Sequence, residues 1–282
     1  MNKLFSAAWA TTRRLWQGPN PYLEYGVKPK PRYGQNSPHP KLYEIISRNR
    51  VPYRQTLESI LQFKERLFQI PVEKPSQPQG PFWHCGWLPP LDFVAIYSLL
   101  CLNNPGKYYE IGSGCSTKFA RRAISDYSLQ TKIVSIDPEP RAEVKSICDQ
   151  VIRKPLEDLS LSTFDDLETN DILFVDGSHR CCMNSDVTVM FLDVLPRLPS
   201  GVLVEFHDIF LPYDYPFEWR KRWYSEQYLL GTYILAEGNK LDIVLPNAYI
   251  SLDAELSKVL SPLWNMLGID AGSAGSFWIR TR

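Results

Sequence analysis

No stretch of this chain approaches the roughly 20 consecutive apolar residues that a membrane-spanning helix needs, so the sequence offers no helical span. Charge of one sign is missing too: 31 Lys and Arg stand against 31 Asp and Glu. Binding to a phosphate backbone needs clustered positive charge, and a zero balance gives that reading no support. Cys85, Cys101, Cys115, Cys148, Cys181 and Cys182 contain no CxxC pair, which removes the usual zinc spacings. Cys181 and Cys182 are neighbours and poor partners for an ordinary disulfide. The six read as reduced thiols, and the expected compartment is the cytoplasm. The N-terminal residues 1–17 lack the continuous 7–15-residue apolar core of a secretory signal. They are expected to pack as an arm on their own domain rather than to lie on a membrane surface. No internal repeat is present.

What is present is enough chain for one full α/β domain and an extra layer. Residues 1–80 read as an N-terminal arm and helical extension, and 81–282 as the main domain. Residues 18–40 are rich in Pro, Gly, Asn and Tyr without periodicity, which predicts an extended arm. From Leu42 to Phe68 apolar residues recur at mostly helical spacing, and Asp92–Leu102 predicts a helix leading into the core. Strands are expected at Lys107–Ile111, Lys132–Asp137, Asp149–Arg153, Asp171–Asp176 and Gly201–His207. Helices are expected at Thr117–Ser125, Arg141–Ile147 and Asp186–Leu195. This alternation implies βαβ units and a parallel sheet covered on both faces. The tail adds a helix at Gln227–Ala236, a strand at Leu241–Leu245, a helix at Ala254–Trp264 and a last strand at Ser276–Arg280.

Fold alone assigns no function, so the strand ends decide. The first strand runs into Gly112-Ser113-Gly114, a turn that opens a helix and lets a ligand approach backbone. A dinucleotide fingerprint wants a third glycine where Thr117 stands. Glu110, two residues before the first glycine, would repel a pyrophosphate but suits a ligand carrying ammonium and sulfonium groups. A nicotinamide dehydrogenase is disfavoured on both counts. The second strand ends at Asp137, placed to accept two ribose hydroxyls. Glu157 follows the third strand, where an adenine contact can fall. The fourth strand ends in Asp176-Gly177-Ser178-His179 and the fifth in His207-Asp208. In a parallel sheet all these ends share one edge. His179, with its near-neutral ordinary pKa, is the candidate general base, and Asp176 its neighbour.

The ordered strings EIGSGCST, SIDPEP, DILFVDGSH and GVLVEFHDIF resemble the motifs of class I S-adenosylmethionine-dependent methyltransferases, particularly small-molecule O-methyltransferases. The resemblance covers about residues 105–245. It implies a Rossmann-like sheet of seven strands in the order 3-2-1-4-5-7-6, with strand 7 antiparallel. It places Glu110, Gly112, Gly114, Ser116, Asp137, Glu157 and Asp176 at S-adenosylmethionine, and methyl transfer to an oxygen of a small molecule. Some relatives hold a divalent ion at the ends of strands four and five, which makes Asp176, His207 and Asp208 a candidate metal set. His207 stands where those relatives commonly have an oxygen ligand, so the set argues against Mg²⁺ and towards Mn²⁺.

The aromatic stretch after Asp208 supplies Tyr213, Tyr215 and Trp219 as candidate substrate contacts. Base methylation of nucleic acid is disfavoured because the fourth strand lacks the Asn/Asp-Pro-Pro-aromatic run. A non-catalytic binding or scaffold protein of the same fold is the alternative, and a homo-oligomer remains open.

Overall fold

The computed structural model describes residues 28–140, 144–236 and 241–282. The expectation for residues 1–17, and residues 18–27 of the extended arm, lie outside them. Chain order begins with α1 (Pro40–Ser47), α2 (Arg50–Ile60) and α3 (Lys64–Phe68), then α4 (Pro90–Asn103). Strands β1 (Lys107–Ile111), β2 (Lys132–Ile136), β3 (Gln150–Ile152), β4 (Ile172–Val175) and β5 (Leu203–Phe206) follow. Helix α5 (Cys115–Asp126) joins β1 to β2, and α6 (Asp186–Val189) precedes β5. The remainder is α7 (Glu226–Leu235), β6 (Leu241–Pro246), α8 (Asn247–Leu252), α9 (Ser261–Leu267) and β7 (Phe277–Thr281).

The seven strands form one sheet in the order β3-β2-β1-β4-β5-β7-β6. Strands β1 to β5 pair in parallel, and β7 runs antiparallel to both β5 and β6. The expected order and the reversed seventh strand are therefore present. Parallel strands covered on both faces are mostly apolar, and β4 and β5 are buried at every position, Glu205 of β5 included.

Helix α4 explains why the chain carries extra helices before its sheet. Leu91 to Leu100 are all buried, so this helix is covered on every side. One side meets α5, where Phe93 stacks on Phe119 with ring centroids 4.0 Å apart. Another meets α2, whose Tyr53, Leu57 and Ile60 join the same continuous core as the sheet. A helix this apolar would expose a large sticky face without that second cover.

Three expected helices differ from the structure. Residues 141–143 of the proposed Arg141–Ile147 helix fall outside the described residues. Its remainder is a single turn closed by Cys148 N–H donating to the Val144 carbonyl. Within Asp186–Leu195 the α-helical turn widens into a π-helix over Met190–Val194, just before Pro196. The proposed Ala254–Trp264 helix starts late, at Ser261. Pro262 suits a helix's first turn and not its interior, so it sets the start there.

Because α2 shares the sheet's core, Leu57→Ala is expected to cost about 2–5 kcal/mol. Urea unfolding followed by far-UV circular dichroism should show one transition at a lower midpoint. A separate early transition would mean that α2 is not part of that core.

Candidate active site

The glycine turn exists because β1 and β4 end almost in contact. Gly112 has φ +82°, and a Cβ there would lie 1.9 Å from the Asp176 carbonyl oxygen. Only glycine allows that approach. At Gly114 the space around an added Cβ is empty, and that space is a cavity of about 690 Å³. Gly112, Gly114, Cys115, Ser116, Asp137, Glu157 and Asp176 all border it. The Asp137 carboxylate accepts from Ser113 N–H at 2.8 Å and Glu139 N–H at 2.7 Å, which fixes it at the cavity rim.

Glu110 is different from its expected placement. It does not reach the cavity; its carboxylate is fully buried and accepts from the Thr117 hydroxyl and from Tyr108 Oη at 3.2 Å. Thr117 Oγ1 in turn accepts from Gly114 N–H at 3.1 Å. Glu110 thus braces the glycine turn from behind. Burial pushes its pKa up to about 7 against the opposing hydrogen bonds.

A second cavity of about 420 Å³ lies beside the first, and Asp176, Trp87 and Leu88 border both. His179, His207, Asp208, Phe210, Trp219, Arg222 and Tyr224 complete its floor and one wall. Among the proposed substrate contacts, Trp219 lines this space and Tyr213 and Tyr215 do not. Tyr215 is buried behind Trp219 with its ring stacked on the indole, and its hydroxyl accepts from Gln227 N–H at 3.2 Å. The Tyr213 carbonyl accepts from the Gln227 side chain. Both tyrosines are held by Gln227 of α7 and do not face the cavity.

Each histidine has a carboxylate behind it. His179 Nδ1 lies 2.8 Å from Glu226 Oε2, while its Nε2 faces Asp176 at 3.1 Å and Asp208 at 3.6 Å. His207 Nε2 lies 3.4 Å from Asp92, while its Nδ1 faces Asp208 at 3.5 Å and Asp176 at 3.7 Å. Asp92 is itself fixed, accepting from Asn247 Nδ2, Gly275 N–H and Ser276 N–H. Neither Glu226 nor Asp92 was expected at the site. Asp92 carried a signal, a lone acid in the apolar run LDFVAIYSLL. Glu226 carried none, because an acid in a helix's first turn is ordinary.

Burial alone would lower both imidazole pKa values. For His179 the hydrogen bonds that Asp176 and Glu226 accept from it outweigh burial, and for His207 the neighbouring carboxylates of Asp176, Asp92 and Asp208 do, so both end well above 6.5. Burial would raise Asp176, but the two imidazoles hold it below the ordinary carboxylate range. Burial raises Asp208 and Glu226, with the histidines opposing. The surrounding carboxylates thus favour the protonated form of both rings.

Among the described residues, no three His, Cys, Asp or Glu side chains are arranged to hold a metal ion. The proposed set of Asp176, His207 and Asp208 lies within these ion pairs, with His207 Nδ1 at 3.7 Å from Asp176 and 3.5 Å from Asp208.

Residues 109–209, from β1 to just beyond β5, match a protein-family model described as a methyltransferase domain. No curated protein matches the sequence. Among solved structures, similarity extends to an O-methyltransferase from Bacillus cereus in complex with S-adenosylhomocysteine. It is 14% identical over 86% of this chain and 96% of that one, with a TM-score of 0.41. An S-adenosylhomocysteine-bound methyltransferase from Podospora anserina is 15% identical over 79% and 88%, with a TM-score of 0.42. An O-methyltransferase of tomaymycin synthesis from Streptomyces achromogenes is 17% identical over 80% and 88%, with a TM-score of 0.35. The matched residues run from β1 to just beyond β5, within a sheet whose strand order is the one the sequence resemblance implies.

The raised imidazole pKa values fix a direction for stability. A group whose pKa is higher folded than unfolded stabilises fully below its unfolded value and loses that contribution as pH rises through the folded value. Calorimetric melting from pH 6 to 10 should show Tm falling on the alkaline side. His207→Gln is expected to flatten that fall; an unchanged slope would remove His207 as its source.

Proposed function

We propose that this protein transfers a methyl group from S-adenosylmethionine to an oxygen of a small-molecule acceptor. The observation that carries the reading is the meeting of two cavities at Asp176, one floored by glycine turn and acidic strand end, the other by His179 and its carboxylates. The first suits the methyl donor: Gly112 and Gly114 leave backbone room, Ser116 and the start of α5 lie alongside, and Asp137 and Glu157 offer acceptors for ribose and adenine. When bound, S-adenosylmethionine supplies an electrophilic methyl on sulfur.

The second cavity suits a flat acceptor, with Trp87, Phe210, Trp219 and Tyr224 as aromatic surfaces. The chain's own task is to align the acceptor oxygen and remove its proton. In this reading Glu226 holds the Nδ1 proton of His179 in place, so Nε2 faces the cavity as the base. Asp176 and Asp208 flank that nitrogen and receive the charge that forms on the ring.

A base works only when neutral, and the carboxylates around His179 hold its pKa well above 6.5. Turnover is therefore expected to rise with pH along a limb that lies above pH 6.5. Glu226→Gln removes one of those carboxylates, so its limb should move to lower pH. His179→Ala should lower kcat by about 10²–10⁴-fold while leaving S-adenosylhomocysteine affinity within about twofold. A chain that binds the cofactor and loses nothing on His179→Ala would sink the base assignment.

The cofactor half of the reading is tested by calorimetric titration with S-adenosylmethionine and S-adenosylhomocysteine beside Asp137→Ala. Loss of about 1.5–3 kcal/mol of binding, a tenfold weakening or more, is expected for a charged acceptor removed from ribose hydroxyls. Equal affinity in the variant would count against it.

A further inference from the structure

Charge is unevenly spread around the first cavity. Of the described residues that border it, Asp137, Glu139, Glu157, Asp176 and Asp186 are acids, and only Lys74 and Lys118 are cations. Lys74 is exposed, so water solvates its charge. Lys118 is 8% exposed. Its ammonium donates to the Pro78 carbonyl at 2.5 Å, and Pro78 borders the same cavity. Among the described residues no carboxylate forms an ion pair with it. A carbonyl supplies a dipole but no charge, and a buried cation persists where an anion compensates it.

The fold sets where that ammonium lies. Long side chains on a helix lean back towards its N-terminus, so a lysine one turn into α5 carries its charge to the helix's start. Helix α5 is held by the next residue, Phe119, whose ring stacks on Phe93 and meets Trp83 edge-on at 5.2 Å. The loop that carries Pro78 is closed at its base, where Trp83 N–H and His84 N–H donate to the Pro71 and Val72 carbonyls. The ammonium is thus fixed between two anchored elements.

A second feature asks for the same ligand charge. The N-cap of α5 is Gly114, which has no side chain to accept from the first N–H groups of the helix. Gly114, Cys115 and Ser116 border the cavity, so the positive end of the helix dipole lies at its wall.

We propose that Lys118 and the start of α5 hold the carboxylate of the methyl donor, and so select a donor with an intact amino-acid end over its decarboxylated form. The proposal rests on the S-adenosylmethionine reading above. That donor carries one anion, its carboxylate, and two cations, its ammonium and sulfonium. The acids along the rest of the cavity suit the cations and the ribose, and Lys118 is the buried partner for the anion. A decarboxylated donor has lost the anion and kept both cations. It leaves Lys118 uncompensated and adds repulsion.

The test is calorimetric titration of the purified full chain and of Lys118→Met, which keeps most of the apolar stem and removes the charge. Two ligands are compared: S-adenosylhomocysteine, and 5′-methylthioadenosine, which has the nucleoside and sulfur but no amino-acid end. Lys118→Met is expected to weaken S-adenosylhomocysteine about tenfold or more and to leave 5′-methylthioadenosine within about twofold. A lysine that only pins the Pro78 loop would weaken both alike, and that result would overturn the proposal. The unmodified chain gives a reading that needs no variant to fold. It should bind S-adenosylmethionine about tenfold or more tighter than decarboxylated S-adenosylmethionine, and equal affinity would overturn the subsite. If the unmodified chain binds neither S-adenosylhomocysteine nor 5′-methylthioadenosine, the cofactor reading fails and the subsite with it. If it binds both and Lys118→Met changes neither, the subsite alone fails.

Discussion

The contact between Gly112 and the Asp176 carbonyl sets the geometry of everything at the upper edge of the sheet. Parallel strands end together, and the loops leaving them compete for the same space. By omitting a side chain at Gly112, β1 can turn directly over the end of β4. That turn starts α5 at Cys115, opens the first cavity on one side, and leaves Asp176 on the boundary with the second. Any larger residue would push the strands' ends apart and separate the two cavities. Glu110 supports the same turn from below through Thr117, which is why an acid sits buried where a hydrophobe would otherwise fill the strand.

The second constraint is electrostatic. Moving a charge out of water costs several kcal/mol even in real proteins, so buried ions persist only where partners surround them. Here two imidazoles and the carboxylates of Asp92, Asp176, Asp208 and Glu226 are mutual partners. Removing one member leaves the others uncompensated. The partners come from helices as well as strand ends: Asp92 from α4 and Glu226 from α7. The cluster therefore ties α4 and α7 to the edge of the sheet, and α4 is as much a support of the site as a layer of the core.

The sequence was most legible where local chemistry alone dictates structure. Apolar runs ending in Gly-x-Gly or in an acid predicted β1 and β2 to within a residue, and the ordered strand ends placed Asp137, Asp176, His179, His207 and Asp208 on one edge. It was least legible where a role depends on what lies across the fold. Tyr215 and Trp219 look alike in sequence, yet one ring is the surface of the cavity and the other the packing behind it. Glu110 sits at the strand end as expected, but which way its carboxylate turned was decided by Thr117 and Tyr108. The boundary expected at Ala254 failed because periodicity extends through Pro262, which the backbone accepts only in a helix's first turn.

Backbone conformation at the two facing groups adds a final reason to treat the cluster as functional. His179 and Asp208 both have positive φ, at +58° and +55°, a region that costs a residue with a side chain about 1–3 kcal/mol. Such strain persists only when the surroundings over-determine it. At His179 they do: its carbonyl accepts from both Ser225 and Glu226 N–H groups, and Glu226 grips its ring as well, so one turn of chain fixes backbone and side chain together. At Asp208 the backbone of Gly275 packs so closely that an added Cβ would lie 3.3 Å from the Asp208 Cα, and Ile209 N–H donates to the Gly275 carbonyl. A relaxed loop would satisfy these residues as well for stability alone. What the strained arrangement achieves is to aim His179 Nε2 and the Asp208 carboxylate at one another across the floor of the second cavity, beside Asp176 and the opening to the first.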